Sequence, residues 1–139
     1  MGQEDKNFET DKHLEAGVWG PSREELMTQA STILMELMIA REKVIPKKEV
    51  EWTVDASNPE DLINGQLKEV IDRFEKENMV FSDFHIRLRG LDTIKCLAHG
   101  EPWDPKRHGT KRVFSRAHCD QLLHPIGSHQ WMANLSFDV

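Results

Sequence analysis

The apolar positions along the chain include two stretches with helical spacing. Ser22 is suited to an N-cap and Glu25 follows three residues later, as in a capping box, so a helix is predicted over residues 22–42. A second helix is predicted from Pro59, a residue favoured at the first helical position, to near Asn78. The two apolar stripes comprise Leu26, Ala30, Ile33, Leu34, Leu37, Met38, Leu62, Ile63, Leu67, Val70, Ile71 and Phe74.

Other segments alternate apolar and polar residues, which is the period of a half-buried strand. The alternation is clear at 50–54 and 131–138, and residues 84–98 form a predicted hairpin. Weaker strand patterns cover residues 13–19 and 111–118. The chain therefore combines two amphipathic helices with several strands that have one apolar face.

The economical arrangement of these elements is an α+β fold in which two helices pack on one side of a largely antiparallel sheet. A chain of 139 residues is long enough to bury a core without disulfides or a structural metal. We expect a polar N-terminal lead-in over residues 1–10 and a single domain over residues 11–139. The predicted core includes Leu34, Leu37, Trp52, Leu67, Val70, Ile71 and Ile86.

Charge and composition narrow the possible functions. The chain has 18 Lys and Arg against 24 Asp and Glu, a net charge of −6, which disfavours tight binding to the phosphate backbone of nucleic acid. Without a long apolar run or an apolar N-terminal signal segment, we expect a cytoplasmic protein that does not enter a membrane. The two cysteines, Cys96 and Cys119, do not make a disulfide framework.

Common catalytic motifs are missing from the sequence, which disfavours a self-contained enzyme of a familiar type. Cys119 follows His118, but adjacent residues on a strand point to opposite faces, so a structural cysteine is a better interpretation than an activated thiol. The spacing of His118, His124 and His129 matches no regular metal motif, which favours solvated loop histidines. The basic residues within 106–116 indicate a solvated face, or one that meets RNA or an acidic partner.

The acidic residues near the C-terminus suggest the binding of a metal cation. Asp138 lies on the polar face of the last predicted strand, next to the terminal carboxylate of Val139. Hard divalent cations prefer such oxygen donors. Asp11 or Glu9 would add a third carboxylate if the first and last strands are neighbours. On composition alone, a frayed acidic terminus that binds nothing explains the pattern better.

Several segments of residues 20–139 resemble, in order and spacing, the archease family. The most specific is the Gly-Glu-x-x-Asp-x-x-x-His run at residues 100–108, which precedes a strand with His118 and a chain that ends on a penultimate Asp. The other segments are Gly20-Pro21-Ser22-Arg23-Glu24-Glu25-Leu26, Glu60-Asp61-Leu62, Met79-Val80-Phe81-Ser82-Asp83-Phe84 and Phe137-Asp138-Val139.

The resemblance implies an accessory protein and not an enzyme. Archeases are small α+β proteins that assist the RNA-splicing ligase that joins tRNA halves, by promoting its activation with GTP and its repeated turnover. GTP is then used by the ligase, and tRNA is met only indirectly through it. The family also implies a divalent-cation site, with calcium as the expected ion, which by position corresponds to Asp11, Asp138 and Val139.

The chain resembles a divergent member of the archease family, because it departs from the family pattern at two places. Where the family has His-Thr-Ala-Asp before its first strand, this chain has Phe8-Glu9-Thr10-Asp11. An ungapped reading places Val113 and Ala117 where the family has a Lys and a Tyr, and only a shifted reading lets Lys111 or Arg112 substitute. Lys111, Arg112 and His118 are therefore the expected partner-binding residues.

Two other functions are compatible with the same residues. One is a small metal-dependent hydrolase that uses the terminal carboxylates, with His118 as general base. The other is a non-catalytic structural interaction module whose acidic ends bind nothing.

Overall fold

The computed structural model describes residues 8–9, 13–90, 92–110, 112–124, 127 and 129–139. They form two long helices, α1 (Arg23–Met38) and α2 (Pro59–Glu77), a short helix, α3 (Pro105–His108), and a 3-10 turn (Arg41–Lys43). The strands are β1 (Phe8–Glu9), β2 (His13–Gly20), β3 (Lys48–Asp55), β4 (Met79–Leu88), β5 (Thr93–Pro102), β6 (Arg116–Leu123) and β7 (Trp131–Asp138). None of the helices in this described part is both long and apolar enough to cross a membrane.

The strands are divided between two sheets. The first sheet has the order β1-β2-β7-β6, the second has the order β3-β5-β4, and every pairing among them is antiparallel. α1 contacts β2 and β7 of the first sheet and β4 of the second, while α2 contacts β6 and all three strands of the second. The α+β class is confirmed, with the predicted antiparallel strands split into two sheets that share the helical layer.

Helix α1 starts where the sequence predicts and ends earlier. Ser22 Oγ accepts a hydrogen bond from the N–H of Glu25 at 3.1 Å, as expected for the N-cap. The prediction that the helix continues to residue 42 is wrong, because its end is bonded to another segment. The N–H of Ala40 donates to the carbonyl of His108 at 3.2 Å, and the carbonyl of Met38 accepts from the N–H of Arg112 at 2.8 Å.

The strand predicted at residues 111–118 lies further along the chain, at Arg116–Leu123. The preceding segment turns inward and buries Phe114 completely, and the N–H of Ser115 donates to the carbonyl of Asp138 at 2.8 Å. Pairing with β7 therefore begins at Arg116 and continues past a bulge between Cys119 and Gln121.

The predicted hairpin is present as β4 and β5, and it contains one close backbone approach. A Cβ atom added to Gly100 would lie 1.9 Å from the carbonyl oxygen of Val80, so only glycine fits there. Immediately after this point the register shifts between Phe81 and Asp83, which leaves Ser82 as the extra residue of a β-bulge.

One apolar core joins the helices and both sheets. Six of the seven predicted core residues are buried in it, and Leu37 packs against it while partly exposed. The buried members are Leu34, Trp52, Leu67, Val70, Ile71 and Ile86.

Candidate functional site

The outer face of the first sheet carries a group of polar residues near the end of β7. β2 and β6 flank β7, and the register places His13 and Arg116 on either side of Asp138. Two residues further along the strands, Glu15 and His118 lie on either side of Ser136 of β7. Side chains two residues apart on a strand share a face, so the five residues other than Ser136 form one cluster, named here the terminal cluster.

Asp138 and His13 form the shortest contact in the terminal cluster. His13 Nδ1 lies 2.7 Å from Asp138 Oδ1, and the other ring nitrogen, Nε2, lies 3.1 Å from Glu15 Oε2. Arg116 Nη1 donates to Asp138 Oδ2 at 3.5 Å. One imidazole therefore bridges two carboxylates, and a guanidinium approaches the second oxygen of Asp138.

These contacts shift the protonation of the groups that make them. Hydrogen bonding to Asp138, and next to Glu15, raises the pKa of His13 above its ordinary value of 6.5. The bond from His13 lowers the pKa of Asp138, and hydrogen bonds from Asn134 and His13 lower the pKa of Glu15. The ionised carboxylates and the protonated imidazole thus stabilise one another.

The same face becomes apolar at its other end. Trp19 on β2, Met132 on β7 and Leu123 on β6 occupy one cross-strand row, and each is more than a third exposed. These three side chains help to line a cleft of about 300 Å³. The outer face of the first sheet therefore joins a charged end to an exposed apolar end, a combination typical of surfaces that contact other proteins.

The residues predicted for a site separate into two places. Asp138 and His118 lie in the terminal cluster on the outer face. Val139 and Arg112 instead line a shallow cleft at the end of α1, together with Leu37 and other residues of that helix end. Asp11 and Lys111 lie outside the described residues, as does the side chain of Glu9.

Sequence reasoning missed Glu15 altogether. It named His13 only as a substitute for Asp11 in the cation site and Arg116 only as part of the basic stretch. The conditional prediction that the first and last strands are neighbours is met, because β2 pairs with β7 along its whole length. Given that pairing, the alternation of β2 already placed His13 and Glu15 on the outer face. Local periodicity does not indicate this pairing, because it identifies the face of a strand and not the neighbouring strand. His13 and Asp138 are 125 residues apart in the chain.

The structure supports a structural role for Cys119. Its thiol is buried opposite to the face that carries His118, and burial raises its pKa to about 11. Cys96 is also a free, buried thiol, and burial raises its pKa to about 12. Of the three clustered histidines, His124 stacks on Trp131 with ring centroids 4.3 Å apart.

Comparison with known proteins places this arrangement in a family. A model of the Archease protein family (MTH1598/TM1083) matches residues 9–139. The chain belongs to the archease family. It is 32% identical to an archease of Pyrobaculum islandicum over 128 residues, which cover 87% of this chain and 85% of that protein. It is also 26% identical to an archease of Pyrococcus furiosus over 125 residues, which cover 87% and 88%.

Two solved structures share the archease fold. Protein 1598 of Methanobacterium thermoautotrophicum superposes with a TM-score of 0.80 at 17% identity, covering 96% of this chain and 97% of that one. An archease of Thermotoga maritima, described as a possible chaperone, superposes with a TM-score of 0.63 at 15% identity, covering 90% and 89%. Both likenesses support the two-sheet α+β architecture.

The Gly-Glu-x-x-Asp-x-x-x-His run of this archease is a buried structural cluster. The carboxylate of Glu101 is 1% exposed and accepts from both terminal nitrogens of Arg107 and from the N–H of Ile45. His108 Nδ1 accepts from the N–H of Asp104 at 2.8 Å, which leaves Nε2 to donate to Glu101 at 2.9 Å. Arg107 is the main reason that the pKa of Glu101 lies well below its usual range. This motif therefore ties β5, α3 and the segment before β3 together.

Proposed function

We propose that this archease activates an RNA-splicing ligase without forming or breaking bonds itself. In this role it promotes the reaction of the ligase with GTP and its repeated turnover on tRNA halves, and it contacts tRNA only through the ligase. Family membership supports the role, and the outer face of the first sheet supplies the observation that carries it. That face offers a protein partner an exposed apolar row beside a charged cluster.

The cleft on this face favours an activator over a hydrolase. It is lined by the row of Trp19, Met132 and Leu123 and their neighbours, while Asp138 and His118 lie outside its lining. A hydrolase that used these two residues would need a pocket that encloses its substrate around them. A partner protein needs only an accessible surface.

We also propose that a hard divalent cation, with calcium as the expected ion, binds at the end of β7. Asp138 would hold it with a carboxylate oxygen, and Val139, whose side chain lines the neighbouring cleft, would hold it with a main-chain or terminal oxygen. Asp11 is the third ligand expected from the family. Asp138 suits this role, because hydrogen bonding lowers its pKa and its carboxylate is partly exposed. When bound, the cation would neutralise these carboxylates in place of His13 and Arg116.

A ligation assay tests the activator role. The cognate RNA-splicing ligase is mixed with GTP and with an excess of tRNA halves, so that the ligase is limiting. The reaction is run in the presence and in the absence of this chain. We expect multiple turnover only when the chain is present, and little stimulation by Asp138→Asn. Asp72→Asn, a matched change on α2, should stimulate like the wild type. Equal stimulation by Asp138→Asn, or none by the wild type, contradicts the proposal.

Thermal unfolding tests the cation site separately. Calcium should raise the melting temperature by an amount that grows with free ion, as expected when only the folded state binds. Asp138→Asn should lose most of that rise, and Asp72→Asn should keep it. An unchanged wild-type melting curve with calcium, magnesium and manganese would exclude the site.

A further inference from the structure

The outer face of the second sheet carries a separate cluster of imidazoles and carboxylates. On β4, Asp83 and His85 are two residues apart and share this face. The register places His99 of β5 directly opposite Asp83, and Glu49 of β3 opposite His99. This register runs unbroken from the turn between β4 and β5, and the β-bulge at Ser82 lies just beyond it. Side chains from three neighbouring strands therefore lie side by side on this face.

The ligand atoms of this cluster already lie close together. His99 Nδ1 is 2.7 Å and His85 Nε2 is 3.3 Å from Asp83 Oδ1. One potential ligand atom from each of these three residues lies within 4.8 Å of the others. Among the described residues, this is the one group of three or more His, Cys, Asp or Glu side chains that meets this spacing.

We propose that Asp83, His85 and His99 form a binding site for a transition-metal ion of the zinc class. Two imidazole nitrogens and one carboxylate oxygen are a donor set that zinc accepts, whereas calcium prefers oxygen donors alone. In a tetrahedral zinc site, neighbouring donor atoms are about 3.3 Å apart. The His85–Asp83 distance already has this value, and His99 and Asp83 need to separate by about half an ångström. The ligand atoms of the two imidazoles lie within 4.8 Å of one another.

Glu49 and Ser82 complete the surroundings that such an ion requires. Ligating histidines usually donate their other ring N–H to a carboxylate, which fixes the tautomer and the ring orientation. His99 Nε2 lies 3.2 Å from Glu49 Oε1, in the position for this contact once Nδ1 faces the ion. Ser82 Oγ lies 3.2 Å from Asp83 Oδ2 and 3.1 Å from the carbonyl oxygen of His99, so its single hydrogen is available to either acceptor beside the cluster.

The cluster is also accessible. The side chain of His85 is 62% exposed, so an ion enters from solvent and keeps water in its remaining coordination position. The site lies on a different sheet from the terminal cluster, so it does not depend on the proposed calcium site or on ligase activation.

Titration calorimetry with Zn²⁺, on the full chain without a histidine tag, tests the proposal. We expect saturable binding of one ion per chain, in the presence of excess Ca²⁺. His85→Gln and Asp83→Asn should each weaken it by at least about tenfold, because each removes one ligand. His129→Gln, which removes an exposed loop histidine, should bind like the wild type.

A second measurement does not depend on variants. In wild-type chain, Zn²⁺ should shift the ring nitrogen resonances of His85 and His99 in NMR spectra and leave those of His129 in place. The proposal is overturned if Zn²⁺ does not bind saturably, if His85→Gln and Asp83→Asn bind as tightly as wild type, or if the two ring resonances do not move.

Discussion

Each of the two sheets carries a histidine–aspartate pair on its outer face, and the two pairs have the same geometry. His13 Nδ1 and Asp138 Oδ1 are 2.7 Å apart on the first sheet, and His99 Nδ1 and Asp83 Oδ1 are 2.7 Å apart on the second. In both, the pair joins neighbouring antiparallel strands, and the second ring nitrogen contacts a glutamate, Glu15 or Glu49.

The neighbours of each pair are what differ. Asp138 is approached by Arg116, whose guanidinium donates to the second carboxylate oxygen and offers no ligand atom. Asp83 is approached by a second imidazole, that of His85. A hydrogen-bonded His–Asp pair therefore does not define a site by itself, and the third group decides which cation the chemistry favours.

The largest expected effect tests whether the two sheets form one folding unit beneath these faces. Leu34 on α1 is fully buried, and α1 contacts both sheets. Leu34→Ala should lower the free energy of unfolding by about 2–5 kcal/mol. Leu37→Ala should cost less, because Leu37 is only partly buried.

Urea unfolding followed by fluorine NMR of fluorotryptophan measures this effect on both sheets at once. Trp19 and Trp131 report on the first sheet and Trp52 on the second. We expect their transitions to coincide in wild type and in Leu34→Ala. Separate transitions would mean that the sheets unfold independently.

The next effect concerns the choice of metal. Asp83→Asn should weaken Zn²⁺ binding by at least about tenfold and leave the calcium-induced rise in melting temperature intact. Asp138→Asn should do the reverse. Calorimetry and thermal unfolding on the same two variants measure both outcomes. If one variant removes both responses, the two faces do not bind independently.

The pH dependence of the two pairs should be similar in direction. Hydrogen bonding to Asp138 raises the pKa of His13, and hydrogen bonding to Asp83 raises the pKa of His99. In metal-free chain, NMR titration should place both above 6.5. Each protonated histidine stabilises the folded state through its hydrogen bond. This contribution is complete below pH 6.5, the ordinary pKa of histidine, and is lost as the pH rises through the folded-state pKa. A value at or below 6.5 for either histidine contradicts the pairing on that sheet.

The smallest effect concerns Glu49, which acts on the ion only through His99. Glu49→Ala should weaken Zn²⁺ binding less than His85→Gln does, since a supporting contact is lost and a ligand is not. Glu49→Gln keeps an oxygen that can accept from His99 Nε2 and should restore most of the affinity. Zn²⁺ titration of the three variants gives this order, and equal losses in Glu49→Ala and Glu49→Gln would exclude the positioning role.

Local patterns predicted the elements well and their long-range partners poorly. The capping box at Ser22 and Glu25 and the alternation of β7 indicated both the elements and their buried faces. The end of α1 was predicted too late because hydrogen bonds to His108 and Arg112, which lie far along the chain, replace helical ones. Likewise, two sheets were not distinguished from one, since periodicity identifies a face and not a neighbour.

The two His–Asp pairs were unequal in how far the sequence could reveal them. The pair of His99 and Asp83 belongs to a hairpin, and continuing its register outward from the turn is enough to place them opposite one another. The pair of His13 and Asp138 depends on β2 lying beside β7, which only the fold establishes. The resemblance pointed to Asp138 by position and could not indicate that an imidazole stands across from it.

Gly100 has a consequence for recognising the proposed zinc site in related chains. It is not a ligand, yet any side chain there would push β4 away from β5 immediately beside the pair of Asp83 and His99. A relative could therefore keep both histidines and the aspartate and still have no site, if a larger residue replaced this glycine. A search by ligand identity alone would count such a chain as a metal binder. The useful signature has four positions, and one of them is defined by the absence of a side chain.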